Sequence, residues 1–354
     1  MMNPIQWLKS LDSSGQVALL FIILFGALML LSLTSFVLQL RARHRGLSQD
    51  DDRPGETDSH LDSTLWGDAP LTLAPRRRGL RHELGFLWGG ACLFWAAWVS
   101  GPLGATLLFG VLSFLALREF ITLMHTRRAD HRGLILAFFI ILPLQYTLTG
   151  LRQFDLFSVL IPVYAFLAIP VVSALADDPA RFLERNAKIQ WGIMVCVYGL
   201  SHAPALLLLD FPGFRGRGAF LLFFLVMVVS CGQLAQLVAS RRLRRRPVAR
   251  RISRSFSMRA WWIGTLTAAL VGALLYWITP FKVGQALVMA FIAAGAGSFG
   301  TLVMKALKRD AGVRYWGNRS SITGAVGLLD RIAVLCFAAP VFFHSVRWYF
   351  KLAL

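Results

Sequence analysis

Acidic residues are scarce in this chain, above all in its C-terminal part. The 354 residues include 18 Asp and Glu against 37 Lys and Arg, and the only acids beyond Asp210 are Asp310 and Asp330. A site that clamps a triphosphate with two metal ions normally draws on more carboxylates than these two. The sequence therefore argues against an ordinary two-metal phosphoryl-transfer site in this region.

Cysteine is rare as well, with Cys92, Cys196, Cys231 and Cys336 placed singly inside apolar segments. None of them belongs to a CxxC pair or lies near a pair of histidines, which are the spacings typical of zinc sites and disulfide frameworks. The four cysteines are therefore interpreted as packing residues that imply neither a disulfide nor a zinc site.

Aromatic side chains are almost missing from the densest basic segment, RRLRRRPVARRISRSFSMR at 241–259, which contains only Phe256. Proteins that bind nucleic acid interleave such charge with stacking aromatic rings. We therefore expect no nucleic-acid partner. We interpret 241–259 as a segment that contacts anionic lipid headgroups, where each Lys or Arg gains about 1 kcal/mol.

What the chain does contain is apolar residues, which make up 56% of it and predict an all-α polytopic membrane protein. Its hydrophobic runs come close to the length needed to cross a hydrocarbon core about 30 Å thick. We predict about ten transmembrane helices, at 17–40, 84–100, 103–124, 134–149, 156–174, 189–209, 220–239, 260–278, 283–304 and 332–348.

Basic residues are distributed unevenly between the loops. The loops at 41–85, 118–133, 175–188, 241–259 and 305–331 hold 30 of the 37 Lys and Arg. Because basic residues concentrate on the cytoplasmic side of short loops, these five loops are predicted to be cytoplasmic and both termini non-cytoplasmic.

The predicted domains are an N-terminal transmembrane anchor at 1–45, a flexible cytoplasmic linker at 46–80 and a nine-helix membrane domain at 81–354. The anchor is expected to be retained, because its basic residues follow the apolar run instead of preceding it as in a signal peptide. The linker is acidic, rich in Pro, Gly and Ser, and has no hydrophobic periodicity. The absence of an internal sequence repeat weighs against inverted-repeat transporters.

Polar residues inside the predicted spans are few, and such residues are candidates for function. Arg118 and Glu119 are interpreted as a pair that reaches the membrane interface, with a site role as the alternative. His202 is interpreted as a structural histidine bonded to a carbonyl that the following proline frees, with a ligand or proton role as the alternative. Gln233 and Gln236 lie three residues apart and are predicted to form interhelical hydrogen bonds.

The clearest polar cluster lies where the ninth span ends and the tenth begins. Lys308, Arg309 and Asp310 end the ninth span, and Asp330 and Arg331 open the tenth. Lys and Arg beside several glycines can bind phosphate, while Asp310 and Asp330 could hold Mg²⁺ with the help of substrate phosphates. The equal alternative is that these residues are topological anchors and helix-capping aspartates.

Several segments resemble the phosphatidate cytidylyltransferase (CDP-diacylglycerol synthase) family. They are KRDAGVRYWG, GLLDRI and FAAPVFFH near the C-terminus, with SFLALREF and GLSHA upstream, and the resemblance runs from about residue 84 to 350. It implies a polytopic enzyme of the bacterial inner membrane, commonly a homodimer. The reaction that it implies joins CTP and phosphatidate, with Mg²⁺, to give CDP-diacylglycerol and pyrophosphate.

Most polar positions of the family signature are replaced in this chain. Where the signature has Gly-Asp, Lys-Asp and the second Asp of Asp-Arg-x-Asp, the chain has Gly300-Thr301, Arg314-Tyr315 and Ala333. Each of these changes removes a carboxylate that the family would use. What survives of the C-terminal signature is mainly positive charge, together with one aspartate.

The upstream signatures are altered in the same way. The family's Asn-Asp pair is lost at 232–236, and the loop at 321–327 lacks the family's histidine. Ser253 is retained, whereas Phe256 replaces a lysine and Arg259 replaces a glutamate. Arg259 reverses the local charge, which makes the site less suited to metal ions.

We therefore predict a catalytically impaired family member that binds a phosphatidate-like anionic phospholipid or a protein partner. The alternatives are an active synthase with a rearranged site that uses Mg²⁺, and a lipid or solute transporter. The candidate remnants of the catalytic site are Lys308, Arg309, Asp310, Asp330 and Arg331, with Asp330 and Asp310 as candidate metal ligands. The candidate phosphate or lipid ligands are Lys308, Arg309, Arg314, Arg331 and Ser253.

Overall fold

A computed structural model describes the chain continuously at 101–122, 127–209, 218–243, 247–253, 256–312 and 327–350, together with Phe211 and isolated positions within 15–33 and 92–100. The chain divides into two compact units, Met1–Ala96 and Ala97–Leu354. In the first unit the described positions, such as Ile22 and Met29, are helical. The predicted domain limits at residues 45 and 80 and most of the first two predicted spans lie outside the described residues.

The second unit contains eight successive helices in its described part. They are α1 (Gly101–Thr122), α2 (Arg128–Gly150), α3 (Phe154–Ala174), α4 (Phe182–Ile193, Met194–Gly199 and Leu200–Leu207), α5 (Gly218–Arg242), α6 (Met258–Leu274), α7 (Val283–Asp310) and α8 (Leu328–Phe350). They coincide with the last eight predicted spans, and all regular structure in the described ranges is helical. The all-α membrane class is thus confirmed, whereas the exact number of ten spans is not.

Six of these helices are long and apolar enough to cross a membrane, namely α1, α2, α3, α5, α7 and α8. Helix α6 is apolar but shorter. Helix α4 begins with the polar sequence FLERNAKIQ before it becomes apolar. On α1, the exposed residues Leu103, Leu107, Val111 and Phe114 recur every three or four positions, which gives the helix one apolar face suited to lipid.

The described parts of the basic loops lie together at one end of the bundle, which we call the basic end. Arg185 at the start of α4 contacts Asp130 at the start of α2, and Glu119 near the end of α1 contacts the start of α8. At the opposite end, Gln285 of α7 donates a hydrogen bond of 2.6 Å to the hydroxyl of Tyr349 at the end of α8. Consecutive helices therefore alternate in direction, as the distribution of charge requires.

A buried ion network joins two loops at the basic end. Arg185, only 7% exposed, places its Nε 3.1 Å from Oδ1 of Asp130 and its Nη1 2.5 Å from Oδ2 of Asp178. The amide of Ala180 and the guanidinium of Arg185 hold the pKa of the Asp178 carboxyl below its usual value. Because a lone charge buried here would be costly, the network fixes the α1–α2 and α3–α4 connections to each other.

Small residues allow the helices to approach closely at several crossings. A Cβ atom added to Gly199 of α4 would lie 2.3 Å from the backbone oxygen of Cys336 on α8. Gly264 of α6 packs in the same way against Gly232 of α5. Such contacts are a common means of packing helices in membranes, where the hydrophobic effect between them is absent.

We expect Gly199→Ala to destabilise the protein by about 1–3 kcal/mol, because the new methyl group would meet backbone that cannot move aside. The matched control is Gly284→Ala in the first turn of α7, where an added Cβ meets nothing within 4 Å. The melting temperatures of both variants in detergent measure the effect. An unchanged melting temperature for Gly199→Ala would contradict the close contact between α4 and α8.

Candidate phosphate-binding site

A polar stripe runs along the basic-end half of α7. Ser298, Thr301, Lys305 and Lys308 are spaced three or four residues apart and so lie on one face of the helix. Ser298 Oγ donates a hydrogen bond of 2.6 Å to Oε1 of Gln236 on α5. This bond confirms the interhelical role predicted for Gln236, and the lysines of the stripe lie nearer the basic end.

Lys305 reaches the segment 247–253, which connects α5 to α6. Its Nζ lies 3.3 Å from Oγ of Ser253, whose side chain is completely buried. The amide of Ser253 is bonded to the carbonyl of Ala249 at 2.8 Å, so a local turn holds the serine in place. A buried hydroxyl and an ammonium group therefore lie side by side, which is a suitable pair of donors for a phosphate oxygen.

Lys308 forms an ion pair with Asp330 in the first turn of α8. The distance from Nζ to Oδ1 is 2.6 Å, and the two side chains are 17% and 34% exposed. The bond joins the end of α7 to the beginning of α8. The lysine binds one oxygen of this carboxylate and neutralises its charge, so it competes with any metal ion for Asp330.

Glu119 is buried between helices and does not extend along the protein surface, so the interpretation of it as a surface pair with Arg118 is wrong. Only 5% of it is exposed, and its two carboxylate oxygens accept hydrogen bonds from the amides of Gly327 at 2.6 Å and Leu329 at 2.9 Å. These amides belong to the N-terminus of α8, where a negative charge is favoured. Glu119 thus caps α8 from a different helix and places Asp330 beside Lys308.

The other predicted site residues are less close together. Asp310 is exposed and follows Lys308 by two residues, about 200° around the helix, so it faces away from Asp330. Arg309 donates a hydrogen bond to the carbonyl of Arg251, and Arg331 is half-buried. Arg314 lies outside the described residues, as do Tyr315 and residues 321–326 of the loop that ends at Gly327.

The residues at the replaced signature positions mainly have packing roles. Ala333 is 1% exposed, and Phe256, 6% exposed, contacts the ring of Phe299 with 6.1 Å between centroids. Thr301 turns its hydroxyl to the carbonyl of Ser298 at 2.7 Å, and Arg259 is exposed. In the described part of the chain, no three His, Cys, Asp or Glu side chains come together as a metal site.

Two residues of this site were not among the ligands predicted from the sequence, although a site role was the alternative for Glu119. Lys305 precedes Lys308 by three residues, and this spacing alone could have predicted that both lie on the same helical face. Glu119 was recognised as a polar residue near the end of a span, but its partner amides lie more than 200 positions away in the chain. Nothing in the local sequence indicates a contact at that separation.

The sequence pattern of the Cytidylyltransferase family matches residues 83–349, which include all of α1 to α7 and α8 as far as Tyr349. The chain is also similar to a protein of Escherichia coli (strain K12) named Uncharacterized protein YnbB. The two are 35% identical over 282 residues, which cover 77% of this chain and 90% of that protein.

Glu119→Ala should expose the first amides of α8 and lower the free energy of unfolding by about 2–3 kcal/mol, since two hydrogen bonds to a charged group are lost. Glu119→Gln should have a smaller effect, because an oxygen acceptor remains. Hydrogen exchange of the peptide at 327–332 measures the change directly. Val111→Ala, at an exposed position of the same helix, is the control, and equal exchange in all variants would contradict the cap.

Proposed function

Because the chain belongs to the cytidylyltransferase family, we propose that it keeps the family's membrane fold but binds the phosphate of an anionic phospholipid instead of catalysing nucleotidyl transfer. Phosphatidate, whose phosphate is a monoester, is the lipid that the family resemblance suggests. The observation that carries this proposal is the ion pair between Lys308 and Asp330. The acid retained from the signature is bonded to a lysine, and cations outnumber acids around it.

The described residues do not fit a magnesium site. Asp330 is bonded to Lys308, both oxygens of Glu119 accept amide hydrogen bonds, and Asp310 faces away from them. Magnesium needs close to ideal octahedral geometry and at least one free carboxylate besides its waters and substrate phosphates. These three engagements support the proposed loss of metal-dependent catalysis.

The same residues suit a lipid phosphate. Lys305 and Ser253 offer an ammonium group and a hydroxyl on one side, and Lys308 offers a second ammonium group one helical turn away. All three belong to the basic end, where the loops are predicted to meet the anionic headgroups. A phosphate that enters between the lysines would compete with Asp330 for Lys308.

In nanodiscs, we expect Lys305→Gln to weaken the binding of phosphatidate about tenfold relative to the wild type, since one charge-assisted hydrogen bond is lost. The matched control is Lys282→Gln, which changes an exposed lysine at the other end of α7. Bound lipid is counted by native mass spectrometry against phosphatidylcholine. Equal retention of the two lipids by the wild type would refute the proposed function.

Asp330→Asn separates lipid binding from catalysis. If Asp330 competes with phosphate for Lys308, the variant should bind phosphatidate a few-fold more tightly, and neither it nor the wild type should convert labelled CTP and phosphatidate in the presence of Mg²⁺. Wild-type turnover that Asp330→Asn abolishes would instead establish an active synthase with a rearranged site. The assay is formation of labelled CDP-diacylglycerol.

A further inference from the structure

A second polar cluster lies at the end of the bundle opposite the basic end. His202 on α4 and His344 on α8 place their Nε2 atoms 3.2 Å apart, and the hydroxyl of Tyr198 lies 3.3 Å from Nε2 of His344. We call these three side chains the histidine cluster. It lies almost four helical turns, about 21 Å, beyond Asp330 along α8, so it does not belong to the phosphate-binding site.

The hydrogen bond made by the other ring nitrogen fixes the orientation of His202. Its Nδ1 lies 2.7 Å from the backbone oxygen of Tyr198, and not next to the carbonyl freed by Pro204 as the sequence predicts. An acceptor oxygen requires that Nδ1 carry the proton, which leaves a lone pair on Nε2. Metal-binding histidines are normally held in this way, with the second nitrogen donating to a carbonyl or carboxylate.

The distances within the cluster lie at the long end of the hydrogen-bond range and also match a metal shell. Hydrogen bonds from an N–H donor are about 2.7–3.2 Å long, and those from a hydroxyl are about 2.5–3.0 Å. The observed separations are 3.2 and 3.3 Å. Ligand atoms around a tetrahedral zinc ion, at bond lengths of about 2.0–2.1 Å, lie about 3.3–3.4 Å apart.

The surroundings hold the rings in place. His202 is fully buried, and its ring packs against those of Phe157 at 4.7 Å and Phe343 at 5.1 Å between centroids. Arg347, one turn beyond His344, is bonded to Asp155 at 3.2 Å, which offsets part of its charge. His344 is half-buried, which leaves an approach to the cluster on its side.

We propose that the histidine cluster binds a zinc ion through Nε2 of His202, Nε2 of His344 and the phenol oxygen of Tyr198, with a water molecule as the fourth ligand. Binding releases the proton of the phenol to solvent, so that two neutral imidazoles and one phenolate surround the ion. The site is independent of the lipid-binding function, because it lies at the other end of the bundle and shares none of its residues.

The test uses the full-length protein purified with a tag that contains no histidine, stripped of metal and titrated with Zn²⁺ and with Co²⁺ as a spectroscopic probe. The wild type should bind one equivalent of zinc and give the visible absorption of tetrahedral cobalt. His202→Gln and His344→Gln should each lower the affinity by more than about 100-fold, and Tyr198→Phe by a smaller factor. His131→Gln, at an exposed histidine at the basic end, should behave as the wild type.

Several results would overturn the proposal. Less than one equivalent of zinc in the wild type would mean that the two rings only share a hydrogen bond. Unchanged affinity in His202→Gln or His344→Gln would place the metal elsewhere. If these variants fail to fold, the X-ray absorption spectrum of zinc bound to the wild type tests the site instead. A first coordination shell without two imidazole nitrogens at about 2.0 Å would exclude it. Phosphatidate binding is measured separately and does not depend on this outcome.

Discussion

The ion pair between Lys308 and Asp330 determines how the basic end of this bundle can function. It joins the last turn of α7 to the first turn of α8, and it occupies the one carboxylate that survives from the C-terminal signature of the family. A half-buried pair of this kind is held by its neighbours more than by its own energy, because desolvation of the two charges offsets much of their attraction. Removing either partner would leave the other charge poorly solvated.

The neighbours of the pair show how that arrangement is maintained. Glu119 caps α8 and so fixes the position of Asp330, while the network around Arg185 ties the preceding loops together at the same end. The acids in the described part of this end are therefore engaged with cations or amides, apart from exposed ones such as Asp310. With these engagements, the described part of the basic end presents mainly lysine and serine donors.

The sequence predicted the helices well, because long apolar runs and the placement of basic residues depend on the membrane itself. It also identified Lys308 and Asp330, but as separate candidates and not as partners. The role of Glu119 and the meeting of His202 with His344 could not be predicted, since each depends on a contact between distant parts of the chain. The position of Lys305 could be predicted from the sequence, because its spacing from Lys308 places both residues on one helical face.

The most direct test of the central claim is a structure of the protein in nanodiscs that contain phosphatidate, with CTP and Mg²⁺ also present. The account predicts density for a lipid phosphate within hydrogen-bonding distance of Lys305 and Lys308, and no metal ion bound to Asp330. A magnesium ion on Asp330 that bridges the phosphates of CTP would contradict it.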